Sequence, residues 1–303
     1  NKIKWVLFCF ENLILIIAGI SLLFYILGTV YKFILPTSIY SASYVGWSDW
    51  NYNSYYGLYF EGHRTYFFGR TIIRNIGIFL EAPVFAYVLV LAIYIEMFLR
   101  KNTRKLSLML LAFTIITTFS TTAIALTLIL VFIYVYLNYM RYSWLKLLLP
   151  IVVIAVFFVV LTVILDKLAA GNDSGTDRMC DFIACWRAFA AHPLVGIGFN
   201  NVSGVDPYRD IFKGNRLGGM SSGIPFVFAN GGIVHAMIYI FPMLIGGFNS
   251  MRKEKHLEYA LEGFICIQTV LLFIIIVEYT LLAQFFLAME WALAINWKKC
   301  MNS

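Results

Sequence analysis

Long apolar runs alternate with short basic clusters and with two hydrophilic stretches. A bilayer core of about 30 Å takes about 20 apolar residues per helix, so each run is measured against that length. Trp5 to Tyr31 gives a first span, preceded by Lys2 and Lys4. Pro83 to Leu99 gives a second, ending at Arg100, Lys101, Arg104 and Lys105, the strongest cytoplasmic signal in the chain. Leu106 to Tyr139 is too long for one straight span, and both of its flanks, Arg100–Lys105 and Arg141–Lys146, are basic. Its polar patch is Thr117, Thr118, Ser120, Thr121 and Thr122. Hydroxyls satisfy backbone groups where two helices meet, so this patch predicts a turn between two shorter spans, a single tilted helix being the alternative. Leu147 to Leu165 then crosses outward, Ile224 to Phe248 returns to Arg252, Lys253 and Lys255, and Tyr259 to Trp297 divides near Glu278 and Tyr279. The expected fold is all-α, a polytopic membrane protein of eight transmembrane helices with both termini cytoplasmic. Outer loop 1 covers 32–82 and outer loop 2 covers 166–223 of a single transmembrane domain, 1–303. The chain begins at Asn1 rather than methionine, as a fragment preceded by further spans would, and no cleavable signal peptide is read in its first segment.

Composition agrees: 61% of residues are hydrophobic and 13% charged, against about a quarter charged in an ordinary soluble domain. The net charge of +7 comes from Lys and Arg set between apolar runs, which orients helices in a bilayer and excludes nucleic acid as the partner. The five cysteines show no C-x-x-C spacing, so neither zinc nor a redox motif is supported. Sorted by this topology, the inner clusters are mostly Lys, whereas the outer segments hold Arg64, Arg70, Arg74, Arg178, Arg187, Arg209 and Arg216. Arg grips carboxylate or phosphate oxygens through a planar fork, which points to an anionic ligand at the outer face. The alternative is pairing with Asp173, Asp177, Asp181, Asp206 and Asp210. Loop 1 also holds Tyr40, Tyr44, Trp47, Trp50, Tyr52, Tyr55, Tyr56, Tyr59 and Tyr66, whose density favours a glycan-binding or lid role over simple interfacial anchoring.

Within outer loop 2, residues 177–192 read as an amphipathic helix outside the membrane. Ser174 and Asp177 suit its start, His192-Pro193 its end, and Met179, Phe182, Ile183, Trp186 and Ala190 form one apolar stripe. Arg178 and Arg187 fall on opposite flanks of that stripe. An interfacial helix with two snorkelling arginines is one reading. The glycine turn that follows, Pro193-Leu194-Val195-Gly196-Ile197-Gly198-Phe199, favours another, in which backbone N–H groups approach a ligand.

Asp177-Arg178, Trp186-Arg187 and His192-Pro193-Leu194-Val195-Gly196-Ile197-Gly198 together resemble the signature of the O-antigen ligase and Wzy-type polysaccharide polymerase family. Arg187 and Gly198, with ten residues between, fit the family's R-x10-G pattern. Upstream, Arg74-Asn75-Ile76-Gly77-Ile78-Phe79 followed by Pro83 resembles its Arg-x-x-Gly-x-Phe element, and Phe119-Ser120-Thr121-Thr122-Ala123 its Ser/Thr turn. The order and spacing of the three elements agree from about Arg70 to Phe248. Ligases of the family carry a His-Asn pair where Ser221-Ser222 stands here, which favours polymerase over ligase.

The resemblance implies a GT-C-like glycosyltransferase of the bacterial plasma membrane with an extracytoplasmic site. Its substrates would be undecaprenyl pyrophosphate-linked oligosaccharides, and a chain-length regulator would be its partner. Arg74 and Arg178 would hold the pyrophosphate, with Arg187, Arg209, Arg216, Gly196 and Gly198 contributing to substrate binding. Arginines stabilise developing phosphate charge without a metal, which suits a chain lacking a D-x-D element, and no cofactor is expected. For the acceptor base the chain offers Glu81, whose alternative role is to stabilise a helix N-terminus, then His63 and His192, with Glu278 a further intramembrane acid. A lipid-linked oligosaccharide flippase is the rival from another class, but its charges should line a path through the spans rather than collect in two loops.

Overall fold

The computed structural model describes residues 2–42, 50–67, 70–139, 174–209, 220, 223–250, 256–275 and 280–302. The expected span Leu147–Leu165, Arg216, Ser221-Ser222 and Glu278 lie outside the described residues. Among those described, four helices are long and apolar enough to cross a membrane, Lys2–Val30, Ala82–Leu99, Thr121–Asn138 and Gly223–Pro242, so half of the expected eight spans meet that standard. The chain divides into two units, Phe8–Ser41 with Asn51–Asn172, and Asn1–Leu7 with Ala42–Trp50 and Asp173–Ser303.

Most of the described part of the first unit is helix. α1 (Lys2–Phe24) runs into a π-helical turn, Tyr25–Val30, and α2 (Ala82–Tyr94) into another, Ile95–Leu99. α2 starts where Pro83 presets the helical φ, and from Phe85 to Ile93 it is fully buried, as an all-round apolar helix enclosed by neighbours must be. The long apolar stretch after Arg104 does divide. α3 (Lys105–Thr117) ends as the Thr114, Thr117 and Thr118 hydroxyls donate to the carbonyls of Leu110, Thr114 and Ile115. Phe119 turns with φ +48, and α4 (Thr121–Tyr139) begins after Ser120. At the end of the bundle away from the loop, the buried carboxylates of Glu11 and Glu96 are clamped by Arg100 and Arg104.

Loop 1 corrects the all-α expectation, because its described residues contain five short strands. β1 (Ser38–Ala42), β2 (Trp50–Tyr55) and β3 (Tyr59–Glu61) form one sheet, and β4 (Arg64–Phe67) pairs antiparallel with β5 (Arg70–Ile73). Aromatic and β-branched residues favour pleated, half-buried backbone, and here Tyr55 and Tyr59 pack against Phe24 and Tyr25 at the end of α1. Tyr52, Tyr55 and Tyr59 are buried, so these three rings of the expected glycan-binding set pack inward, while Tyr40 and Tyr56 remain exposed. Glu61 ties the sheet to the end of α1, accepting hydrogen bonds from Thr29 Oγ1 at 2.8 Å and Tyr55 OH at 3.0 Å.

In the second unit, α5 (Ser174–Ala191) leads through a 3-10 turn (Ser203–Tyr208) to α6 (Gly223–Ser250), α7 (His256–Ile274) and α8 (Leu281–Asn302). α5 starts three residues ahead of the expected 177. Its packed face is Asp181, Ala184, Cys185 and Ala188, whereas Met179 and Phe182 of the bulky stripe are exposed. Small residues at that spacing let α5 approach α6 closely. α6 is broken at Gly232, whose φ of 61 and ψ of −159 are non-helical.

Candidate functional site

In the first unit, two separately read motifs meet at one corner. Arg74 leaves the end of β5 and donates from Nε to the carbonyl oxygen of Thr118 at 2.7 Å, just past the C-terminus of α3. The negative end of a helix suits a cation. The next residue deepens the junction: Asn75 N–H donates to the Thr117 carbonyl at 3.0 Å, and its buried side chain donates from Nδ2 to Thr117 Oγ1 at 3.0 Å and to Ser21 Oγ on α1 at 3.3 Å. Asn75 Oδ1 accepts the N–H of Gly77 at 3.1 Å. Gly77 itself has φ +55, the left-handed region that glycine adopts without strain.

His63 closes the other side. Its carbonyl accepts the Arg74 N–H at 2.8 Å, its Nδ1 accepts the Ala82 N–H at 3.2 Å, and its Nε2 lies 3.5 Å from Arg74 Nη1. With Nδ1 accepting, the one proton of the neutral ring sits on Nε2 toward Arg74, and a second proton at Nδ1 would meet the Ala82 N–H. Burial, reinforced by the Arg74 charge, pushes the imidazole down to about 3. A base that weak suits positioning better than proton abstraction. Glu81 stands extended before α2, and its main-chain oxygen accepts the Phe85 N–H at 3.1 Å while its side chain makes no capping bond. Its charge, after burial, contributes to raising the Tyr52 phenol. Burial first, then Glu61, pushes Tyr55 up to about 12.

The second unit assigns different work to the residues of outer loop 2. Because α6 breaks at Gly232, the carbonyls of Ala229 and Asn230 lie open to the loop, where the N–H groups of Ile197 and Gly198 donate to them, each at 2.9 Å. Ile233 N–H donates to the Pro193 carbonyl at 2.8 Å. The Gly196 N–H is used within its own turn, on the His192 carbonyl at 3.0 Å. Of the two glycines expected to bind substrate, Gly198 thus gives its amide to helix docking and Gly196 to its own turn. A Cβ on Gly196, which has φ +66, would lie 2.3 Å from the Asn230 carbonyl carbon, so contact between two backbones requires glycine there.

Arg209, expected to bind substrate, is buried and forms ion pairs with Asp181 at 3.0 Å and Asp206 at 3.2 Å. Arg187 is exposed and donates from Nη1 to the Tyr208 carbonyl at 3.3 Å. His192 is exposed at the end of α5. Arg178 lies early in α5, with its side chain outside the described residues. Among the described residues, no three His, Cys, Asp or Glu side chains are grouped as a metal site.

One span of sequence holds the Ser/Thr turn, α5, the glycine loop and the broken half of α6. Residues 106–240 match the O-antigen ligase family model. The matched segment is less than half of the chain, and Arg74 and Asn75 lie before it while hydrogen-bonding to its residues Thr117 and Thr118. No curated protein and no solved structure matches the chain. Sequence reasoning passed over Asn75 as a variable position of its motif. Asn230-Gly231-Gly232 inside an apolar run was the available sign of a helix break.

Proposed function

We propose that this protein is a glycosyltransferase that polymerises undecaprenyl pyrophosphate-linked oligosaccharide repeat units at the outer face of a bacterial plasma membrane. In this reading the loop end of α1 to α4 faces outward, and the basic Arg100–Lys105 end faces the cytoplasm within a GT-C-like, eight-span fold. The growing glycan leaves its pyrophosphate carrier, the bond from the anomeric carbon to phosphate oxygen breaks, and a hydroxyl of the next lipid-linked unit forms the new glycosidic bond, losing its proton. Pyrophosphate is a good leaving group, so the protein's tasks are to hold its charge and to orient the acceptor. Arg74 serves the pyrophosphate, and Glu81 receives the acceptor proton.

The observation that carries this reading is the bond from Arg74 to the Thr118 carbonyl. That bond fixes the guanidinium at the segment that matches the O-antigen ligase family model. The segment's family description favours a second reading, transfer of finished glycan to another acceptor, and the two differ in product. Purified protein given only undecaprenyl pyrophosphate-linked repeat units should form longer lipid-linked glycan, without loss on adding EDTA. Arg74→Ala should abolish elongation at unchanged protein level. Elongation retained by Arg74→Ala removes this arginine from the site, and wild-type product appearing only with a non-carrier acceptor makes the protein a ligase.

A further inference from the structure

We propose that Asn75 is the positioning residue for Arg74, an inference that rests on the role just given to that arginine. The chemistry of its surroundings admits an amide and little else. Thr117 Oγ1 already donates its proton to the Thr114 carbonyl at 2.7 Å, and Ser21 Oγ donates its proton to the Ala18 carbonyl at 3.0 Å. Each hydroxyl therefore offers Asn75 only lone pairs, and the two protons of the side-chain NH2 meet them. On the other side Gly77 N–H needs an acceptor, which Oδ1 supplies. One side chain thus gives two hydrogen bonds and takes one, while its main-chain N–H holds the Thr117 carbonyl. These bonds join α1, the segment before α2 and the end of α3, and Arg74, the adjacent residue, reaches Thr118 from that fixed backbone. Asn75 touches no reacting atom in this scheme; it sets where the guanidinium stands.

Asn75→Asp preserves shape but turns the two-proton donor into an acceptor facing two lone pairs. Its elongation turnover should fall roughly a hundredfold, the scale of an ångström-sized misplacement, with KM for the lipid-linked donor little changed. A buried carboxyl facing lone pairs binds a proton more readily than a solvated one, and the protonated form regains one donor. Turnover relative to wild type should therefore recover as pH is lowered from 8 to about 5.5. Arg74, His63 and Glu81 flank this corner in both proteins, so normalising to wild type removes their own contributions. In an Arg74→Lys background, Asn75→Asp should add little, because the geometry it sets is already lost.

Full turnover by Asn75→Asp together with a dead Arg74→Ala overturns the positioning role and leaves the functional reading standing. An active Arg74→Ala overturns both. If Asn75→Asp does not accumulate as folded protein, Thr117→Ser and Thr117→Val decide. The serine keeps the accepting oxygen and should keep turnover, the valine should lose it, and equal turnover in the pair overturns the proposal.

Discussion

Arg74 and Arg209 read alike in the sequence, as arginines of two outer segments, yet each sits in a different kind of surrounding. Arg209 is buried between two aspartates, Asp181 and Asp206. Its charge is spent within its own unit, and it joins α5 to the 3-10 turn. Arg74 is half-buried, and its Nε is fastened to a main-chain carbonyl beside an imidazole that burial keeps neutral. Arg209 is enclosed on all sides, whereas part of the Arg74 fork stays within reach of a ligand. Exposure, rather than residue type, therefore separates an arginine that holds a fold from one suited to a ligand.

Substitution should separate these two roles most sharply. Arg74→Lys keeps a positive charge but loses the planar fork, and elongation should fall by more than about a hundredfold while folded protein is retained. Arg209→Met should act in the opposite sense. It leaves Asp181 and Asp206 without their cation, at a cost of about 3–5 kcal/mol, and the loss should appear as lower folded yield and Tm. Folded Arg209→Met protein should turn over at close to the wild-type rate, measured per folded molecule. If its Tm is unchanged and its turnover collapses, the two arginines do not divide as described.

A smaller effect belongs to the glycine loop. Gly196→Ala adds a Cβ 2.3 Å from the Asn230 carbonyl carbon at a backbone with φ +66. Both the strain and the clash oppose it, and destabilisation of more than about 1 kcal/mol is expected, read as a lowered Tm. Gly198→Ala meets nothing closer than the Asn201 side chain at 3.8 Å, so only its φ of +113 resists, and its loss should be the lesser of the two. Equal effects would mean that the close approach to α6 is not what requires Gly196.

The divided stretch around Thr118 was legible because hydroxyls cluster there and nowhere else in an apolar run, and the helix before Pro193 because its caps and period agree. The Arg74 motif was legible as a motif, but its docking on Thr117 and Thr118 crosses more than 40 positions of chain, and spacing says nothing about such pairs. The strands of loop 1 were obscured because the same tyrosines that suit sugar stacking also suit a small sheet. The stripe of α5 misled for a related reason. Periodicity finds the bulky apolar face, but of that face Trp186 packs on Phe228 while Met179 and Phe182 are exposed, and the buried contact is made by Ala184, Cys185 and Ala188. Arg209 could not be distinguished from Arg74 by sequence, because Asp181 reaches it only once α5 and the 3-10 turn have folded together.

The mildest test concerns the imidazole that keeps company with Arg74. Its Nδ1 accepts the Ala82 N–H, and burial with the nearby guanidinium holds it at about 3, against an ordinary value near 6.5. The unfolded chain therefore takes up a proton on His63 below about pH 6.5 that the folded chain refuses, so stability falls as pH drops from there toward 3. The limiting slope from this one group is about 1.4 kcal/mol per pH unit. Thermal unfolding between pH 7 and pH 5 should show this loss, and His63→Asn, which has no proton to gain, should flatten that part of the curve. The same substitution should leave the pH profile of turnover unchanged in shape over that range, because a group that stays neutral contributes no titration to it. A profile that loses an acid limb in His63→Asn would instead make His63 a proton-transferring residue, and the neutral partner assigned to Arg74 would have to be abandoned.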